Sequence, residues 1–217
     1  MRQLVILMTV VLLAACRNSG KQESSRVDVL PYYDEATFTP KWYDSEGLLP
    51  KGFHQIPEFS LTNQLGDSIT EKSLDGKITV VDFFFTSCPG ICPKMTDNMT
   101  LVQEAFLNND HIMILSHSVT PNYDSVSVLK DYAVSKKIVD GKWHLLTGDR
   151  EEIYSLGRNE YFAEEDLGMA KGPGDFLHTE NFILVDANRH IRGIYNGLNA
   201  TAINQLIADI KTLENSL

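Results

Sequence analysis

The sequence predicts an α/β domain in which a central mixed sheet is flanked by helices, preceded by a lipoprotein-type signal and a tether. Three observations carry that reading. Residues 78–85, Ile-Thr-Val-Val-Asp-Phe-Phe-Phe, are almost wholly β-branched and aromatic, the composition of a central strand covered on both faces. Segments with apolar residues at helical spacing then alternate with further short apolar runs, the order of β-α-β units built on parallel strands. The chain closes on two short strands joined by a turn and a final amphipathic helix, which adds an antiparallel edge.

The elements follow in order. Phe59-Ser60-Leu61-Thr62 and Ser68-Ile69-Thr70 flank the turn-like Asn63-Gln64-Leu65-Gly66-Asp67 as a short hairpin. After the strand at 78–85, Pro93 suits the opening of a helix, and Met95, Met99, Val102 and Phe106 continue it at helical spacing to about residue 108. That spacing assigns both methionines to the core. A strand is expected at 111–118, an amphipathic helix at 125–137, a strand at 143–146 and a helix near 150–156. Residues 158–177, with Glu164-Glu165-Asp166 and Lys171-Gly172-Pro173-Gly174, read as a long irregular loop. Strands at 181–186 and 191–195 bracket the turn Ala187-Asn188-Arg189. A helix at 202–213 then carries Ile203, Leu206, Ile207, Ile210 and Leu213 on one face. This order matches a thioredoxin-like sandwich.

Upstream lies a different kind of chain. Arg2, an apolar run at 4–13 and Leu-Ala-Ala-Cys16 read as a secretion signal resembling a bacterial lipobox, with Cys16 as the lipidation site. The run is too short for a permanent span, which takes about 20 residues. The expected boundaries are a signal at 1–15, an anchor, tether and irregular extension at 16–54, and the folded domain at 55–217. Residues 17–25 hold too few apolar groups to order themselves. Residues 27–58, with aromatic side chains between Pro31, Pro40, Pro50 and Pro57, read as extended chain laid over the domain. The expected location is the bacterial cell envelope, facing the periplasm or extracytoplasmic side.

With 29 acidic against 19 basic residues and a net charge of −10, the chain offers no basic surface for nucleic acid. It has neither a Walker A loop nor a dinucleotide glycine fingerprint, so it offers no nucleotide site.

The chemistry concentrates in Thr86-Ser-Cys88-Pro-Gly-Ile-Cys92-Pro-Lys-Met, between the carboxyl end of a buried strand and the start of a helix, where open α/β sheets place ligands. The helix dipole and its free N–H groups stabilise thiolate over thiol, so one or both cysteines should titrate low. Three intervening residues leave a loop wide enough for both sulfurs to face one soft ion. A disulfide staple and a redox pair draw on the same two sulfurs and stay open as alternatives. An imidazole would let such a site hold both copper oxidation states. His178 is the leading candidate, because it lies between the Gly-Pro-Gly loop and the strand beginning at 181, and the junction lacks the proline usual in thioredoxin-type oxidoreductases. His117, at the end of the second central strand, is a weaker candidate. His54, His111, His144 and His190 are assigned to structure or solvent.

Together with Ser118-Val-Thr-Pro121-Asn-Tyr-Asp124-Ser, Trp143-His-Leu-Leu-Thr147-Gly148, and His178 followed by Phe182-Ile-Leu-Val-Asp186, these motifs resemble the Sco family, also called SenC. Over residues 55 to 213, the resemblance implies a thioredoxin-fold copper chaperone for the CuA centre of cytochrome c oxidase. It implies Cu(I) or Cu(II) as cargo, Cys88, Cys92 and His178 as ligands, Cys88 and Cys92 as a redox pair, and Asp124 as an accessory acidic residue. The partners it implies are the oxidase subunit carrying CuA and, through the anchor, a membrane. Thr120 and Ser125 depart from the family pattern, which usually has an acid and commonly a threonine there. The rival function is a thiol-disulfide oxidoreductase acting on that subunit or another envelope protein. A copper-free redox sensor or peroxidase-like relative is a third reading.

Overall fold

The computed structural model describes residues 24–43, 49–164, 177 and 179–215. Among them seven strands form one sheet in the order β2-β1-β5-β4-β3-β6-β7: β1 (Ser60–Asn63), β2 (Ser68–Thr70), β3 (Ile78–Phe84), β4 (Ile112–Ser118), β5 (Trp143–Thr147), β6 (Asn181–Val185) and β7 (Ile191–Asn196). The pairs β3–β4 and β4–β5 are parallel and the remaining pairs are antiparallel. The helices are α1 (Cys92–Ala105), α2 (Val126–Lys136), α3 (Arg150–Ser155) and α4 (Ala200–Glu214). The mixed sheet between helices is the architecture expected from the alternation of periods.

Every residue of β3 and β4 is buried, so side chains leave the two strands alternately into two cores. Val80, Phe84, Ile112 and Ile114 meet α1, α2 and α4 on one face, with Met95 and Met99 fully enclosed. Both methionines are therefore packing residues. Val81, Phe83, Met113 and Leu115 meet Ile153, Tyr154, Tyr161 and the β1–β2 hairpin region on the other. A fully buried aliphatic or aromatic side chain contributes roughly 1.5–3 kcal/mol, so the two-sided burial of β3 makes it a firmly anchored platform for whatever its end carries.

The segment expected as a loop from residue 158 begins with helical structure. Residues Leu156–Glu160 continue from α3 as one π-helical turn, closed by the Tyr161 N–H on the Leu156 carbonyl at 2.8 Å. Gly157 is required there, because a Cβ would lie 2.7 Å from Leu177 Cδ2 and 3.0 Å from the Phe83 ring. Residues 165–176 lie outside the described residues.

Residues 30–41 of the extension lie against the β7 edge of the sheet. Tyr32 bridges to Lys41 and Tyr33 to Ile191. Buried Arg192 donates to the carbonyls of Leu30 at 2.6 Å and Pro31 at 3.0 Å and to Asp186 at 3.0 Å. Its guanidinium lies 3.7 Å over the Tyr32 ring. Arg192→Ala is expected to leave the Asp186 carboxylate without its cation and to free the strap, costing on the order of 3 kcal/mol. Thermal unfolding and limited proteolysis within residues 24–43 would measure it. Among the described residues no helix is long and apolar enough to cross a membrane.

Candidate metal centre

The cysteine segment starts where pairing of β3 with β4 ends. Phe84 is the last paired residue, opposite Ser118. The chain then turns through residues 86–91, with the Cys88 N–H on the Phe85 carbonyl at 3.3 Å, and Cys92 opens α1 with a proline at its first turn. Cys88 is partly exposed, Cys92 is buried, and both are free thiols.

The two sulfurs are not equivalent. Burial pushes the Cys88 thiol up, but the Cys92 S–H donating to it and the N–H groups of Cys92, Gly90 and Ile91 outweigh that effect and hold it below its ordinary value. The same contact acts oppositely on Cys92. Burial, the shared hydrogen bond and the charges of Cys88 and Asp82 push it to about 12. The dipole argument allowed two depressed thiols, and only Cys88 is depressed, because Cys92 gives up its proton last of the pair and does so in an apolar setting. Alkylation of the reduced chain near pH 7 should therefore modify Cys88 at least about tenfold faster than Cys92, as peptide mapping would show.

Asp124 is brought to this segment. Its carboxylate is 1% exposed and accepts from Thr86 N–H at 3.3 Å, Thr86 Oγ1 at 2.5 Å, Ser118 Oγ at 2.5 Å and Thr120 Oγ1 at 3.0 Å. Thr120, one of the departures from the family pattern, thus turns its hydroxyl inward to that carboxylate.

His178 and Cys16 lie outside the described residues. Both covalent neighbours of His178 are described. Leu177 is 1% exposed, against Gly157. Thr179 is also buried, with its hydroxyl on the Ala163 carbonyl at 2.5 Å, and Asn181 Nδ2 reaches the same carbonyl at 3.1 Å. Among the described residues no group of three His, Cys, Asp or Glu side chains could hold a metal ion, so a third donor beside the two thiols is not found among them.

His117 is not that donor. It stacks on Phe83 at 5.0 Å and lies 5.5 Å from the Tyr161 ring. It is fully buried in the second core, where a hydrogen bond with the Asp82 backbone only partly offsets the loss of water. Burial drives its pKa down to about 3.

One buried acid near the thiols went unread in the sequence. Asp82, beneath the thiols in β3, is 2% exposed and receives the Ser116 hydroxyl, which in turn accepts from Trp143 Nε1 at 2.8 Å. Burial lifts its pKa to about 7. The available signal was one acid inside an otherwise apolar strand.

The SCO1/SenC family model matches residues 50–215. The crystal structure of a SCO1/SenC family lipoprotein from Bacillus anthracis str. Ames is 31% identical, covers 74% of this chain and 95% of its own, and superposes with a TM-score of 0.65. BsSco, a member of the Sco family of cytochrome c oxidase assembly proteins in which a disulfide switch was identified, is 30% identical over 75% of this chain and 94% of its own, with a TM-score of 0.63. Copper-bound ScoI from Bradyrhizobium japonicum is 28% identical over 72% of this chain and 98% of its own, with a TM-score of 0.56.

Proposed function

The chain belongs to the SCO1/SenC family, and on that premise we propose that it carries copper in the bacterial envelope, bound by Cys88, Cys92 and His178, and delivers it to the cytochrome c oxidase subunit that bears the CuA site. The observation that carries this reading is the pair of free sulfurs at the start of α1, one held toward thiolate and hydrogen-bonded by the other. Cys88 meets the ion first. Coordination by Cys92 then displaces the proton it donates to Cys88, so uptake releases protons and strengthens as pH rises. Cys16 serves as the lipid anchor and residues 55–217 as the carrier domain.

Titrating the reduced chain with Cu(I) and with Cu(II) should give one equivalent of each, the latter with a sulfur-to-copper charge-transfer band. Cys88→Ser and Cys92→Ser should each remove the band. A wild-type chain that retains neither ion through desalting refutes the carrier reading.

The inequality of the sulfurs favours a second reading, reduction of a partner's disulfide. The Cys88 thiolate attacks one partner sulfur and releases the other as thiolate. Cys92, once deprotonated, attacks Cys88 and releases the partner's second thiolate, so two electrons pass to the partner and a Cys88–Cys92 disulfide remains. Cys92→Ser would then trap a mixed disulfide on Cys88, and its absence with partner present counts against this role.

A further inference from the structure

We infer that Asp124 is the positioning residue of the thiol pair, a buried carboxylate that takes the place of the next rung of the β3–β4 ladder and thereby sets where Cys88 sits. Parallel pairing reaches Phe84 opposite Ser118, and the Val119 N–H on the Phe84 carbonyl at 2.9 Å extends it once more. Beyond that point no strand pairing holds Thr86, two residues before Cys88. The carboxylate supplies the missing constraint on both sides of the gap. It takes Thr86 by its N–H and its hydroxyl, the end of β4 by Ser118, and the following turn by Thr120. That turn is itself closed onto Asp124, whose N–H donates to the Thr120 carbonyl at 3.0 Å.

The division of donors makes charge and geometry separable. Oδ2 accepts from Thr86 N, Ser118 Oγ and Thr120 Oγ1, whereas Oδ1 meets only the Thr86 hydroxyl. An asparagine with its oxygen at the Oδ2 position keeps three contacts unchanged. Its amide faces a hydroxyl that can rotate to accept. Asp124→Asn therefore keeps the clip without its charge, and Asp124→Ala removes the clip.

The inference rests on Cys88 and Cys92 acting as the site proposed above, and its test uses readouts both with and without copper. In the full-length reduced chain, Asp124→Ala should weaken Cu(II) binding at least about tenfold, shift the charge-transfer band and speed Cys88 alkylation several-fold, while Asp124→Asn stays near wild type in all three. Thr86→Val should give part of the alanine effect, and the double variant Asp124→Ala/Thr86→Val no more than Asp124→Ala alone. Arg192→Ala, destabilised far from the site, is the control that should leave band and alkylation unmoved. A folded Asp124→Ala chain with wild-type band, affinity and alkylation rate overturns the inference, as do additive effects of the two substitutions. If Asp124→Ala does not fold, Thr86→Val decides: wild-type values there overturn it and a partial effect upholds it. Should the wild type bind no copper, the carrier reading fails, and the alkylation rates still decide the role of Asp124.

Discussion

His178→Ala is expected to lower Cu(II) affinity by more than about a hundredfold and to erase the sulfur-to-copper band, while one Cu(I) stays on the thiolates. Two soft sulfurs satisfy Cu(I), whereas Cu(II) needs the imidazole as well. The position of the residue makes the expectation specific. Leu177 is buried against Gly157 and Thr179 is fastened to Ala163, so His178 is joined on each side to a residue that does not have to be ordered when metal arrives. Phe83, which also approaches Gly157, belongs to the strand that leads into the cysteine turn. Paired Cu(I) and Cu(II) titrations of wild type and variant, with competing chelators, measure the effect. Cu(II) held by the alanine chain at wild-type strength would remove His178 from the ligand set and leave the thiol-exchange reading ahead.

The second large effect concerns two buried groups on opposite faces of the sheet. Asp82 rises from 3.8 to about 7 on folding, so the stability associated with it is present below pH 3.8 and is lost as pH climbs toward 7. His117 falls from 6.5 to about 3, so its stability is present above pH 6.5 and is lost as pH drops toward 3. Between pH 3.8 and 6.5 the two slopes, each about 1.4 kcal/mol per pH unit at the limit, oppose each other and cancel. Single substitutions uncover them. His117→Phe should make stability fall as pH rises through that window, and Asp82→Asn should make it fall as pH drops, a divergence of several kcal/mol across the window. At neutral pH, His117→Phe should also stabilise by about 1 kcal/mol, because it replaces a desolvated imidazole with an apolar ring. Denaturant unfolding of the three chains at several pH values gives the difference curves. Parallel curves for both variants would show that neither group changes protonation on folding.

Much of this molecule was readable from residue order. The strand at 78–85 announces itself by composition, and the spacing of Met95, Met99 and Val102 puts them in the core, because a helix repeats every 3.6 residues whatever lies around it. The cysteine turn was legible for the same local reason: a strand end, a proline-opened helix and two thiols need only neighbours in sequence. Asp124 was set near the site only by the resemblance to the family, and its four contacts could not be foreseen, since they depend on where two parallel strands stop pairing. Asp82 was passed over because an acid inside a strand says nothing of its ionisation until its burial is known. His117 was set at the sheet rim as a possible ligand, and the parity of its strand instead points it at Phe83 in the second core.

Sequence alone determined the alternation of elements, the resemblance carried by the motifs at 86–95 and 118–125, and the place of two sulfurs between a strand end and a helix start. These are properties of short windows, where covalent geometry and side-chain period act directly. Tertiary structure decided which thiol carries the proton, how an arginine at 192 holds residues 30 and 31, and what fastens the residues on either side of His178. Those outcomes depend on desolvation and on contacts between segments up to 162 residues apart, and the energy of an ionisable group is set by what surrounds it in space rather than by what precedes it in the chain.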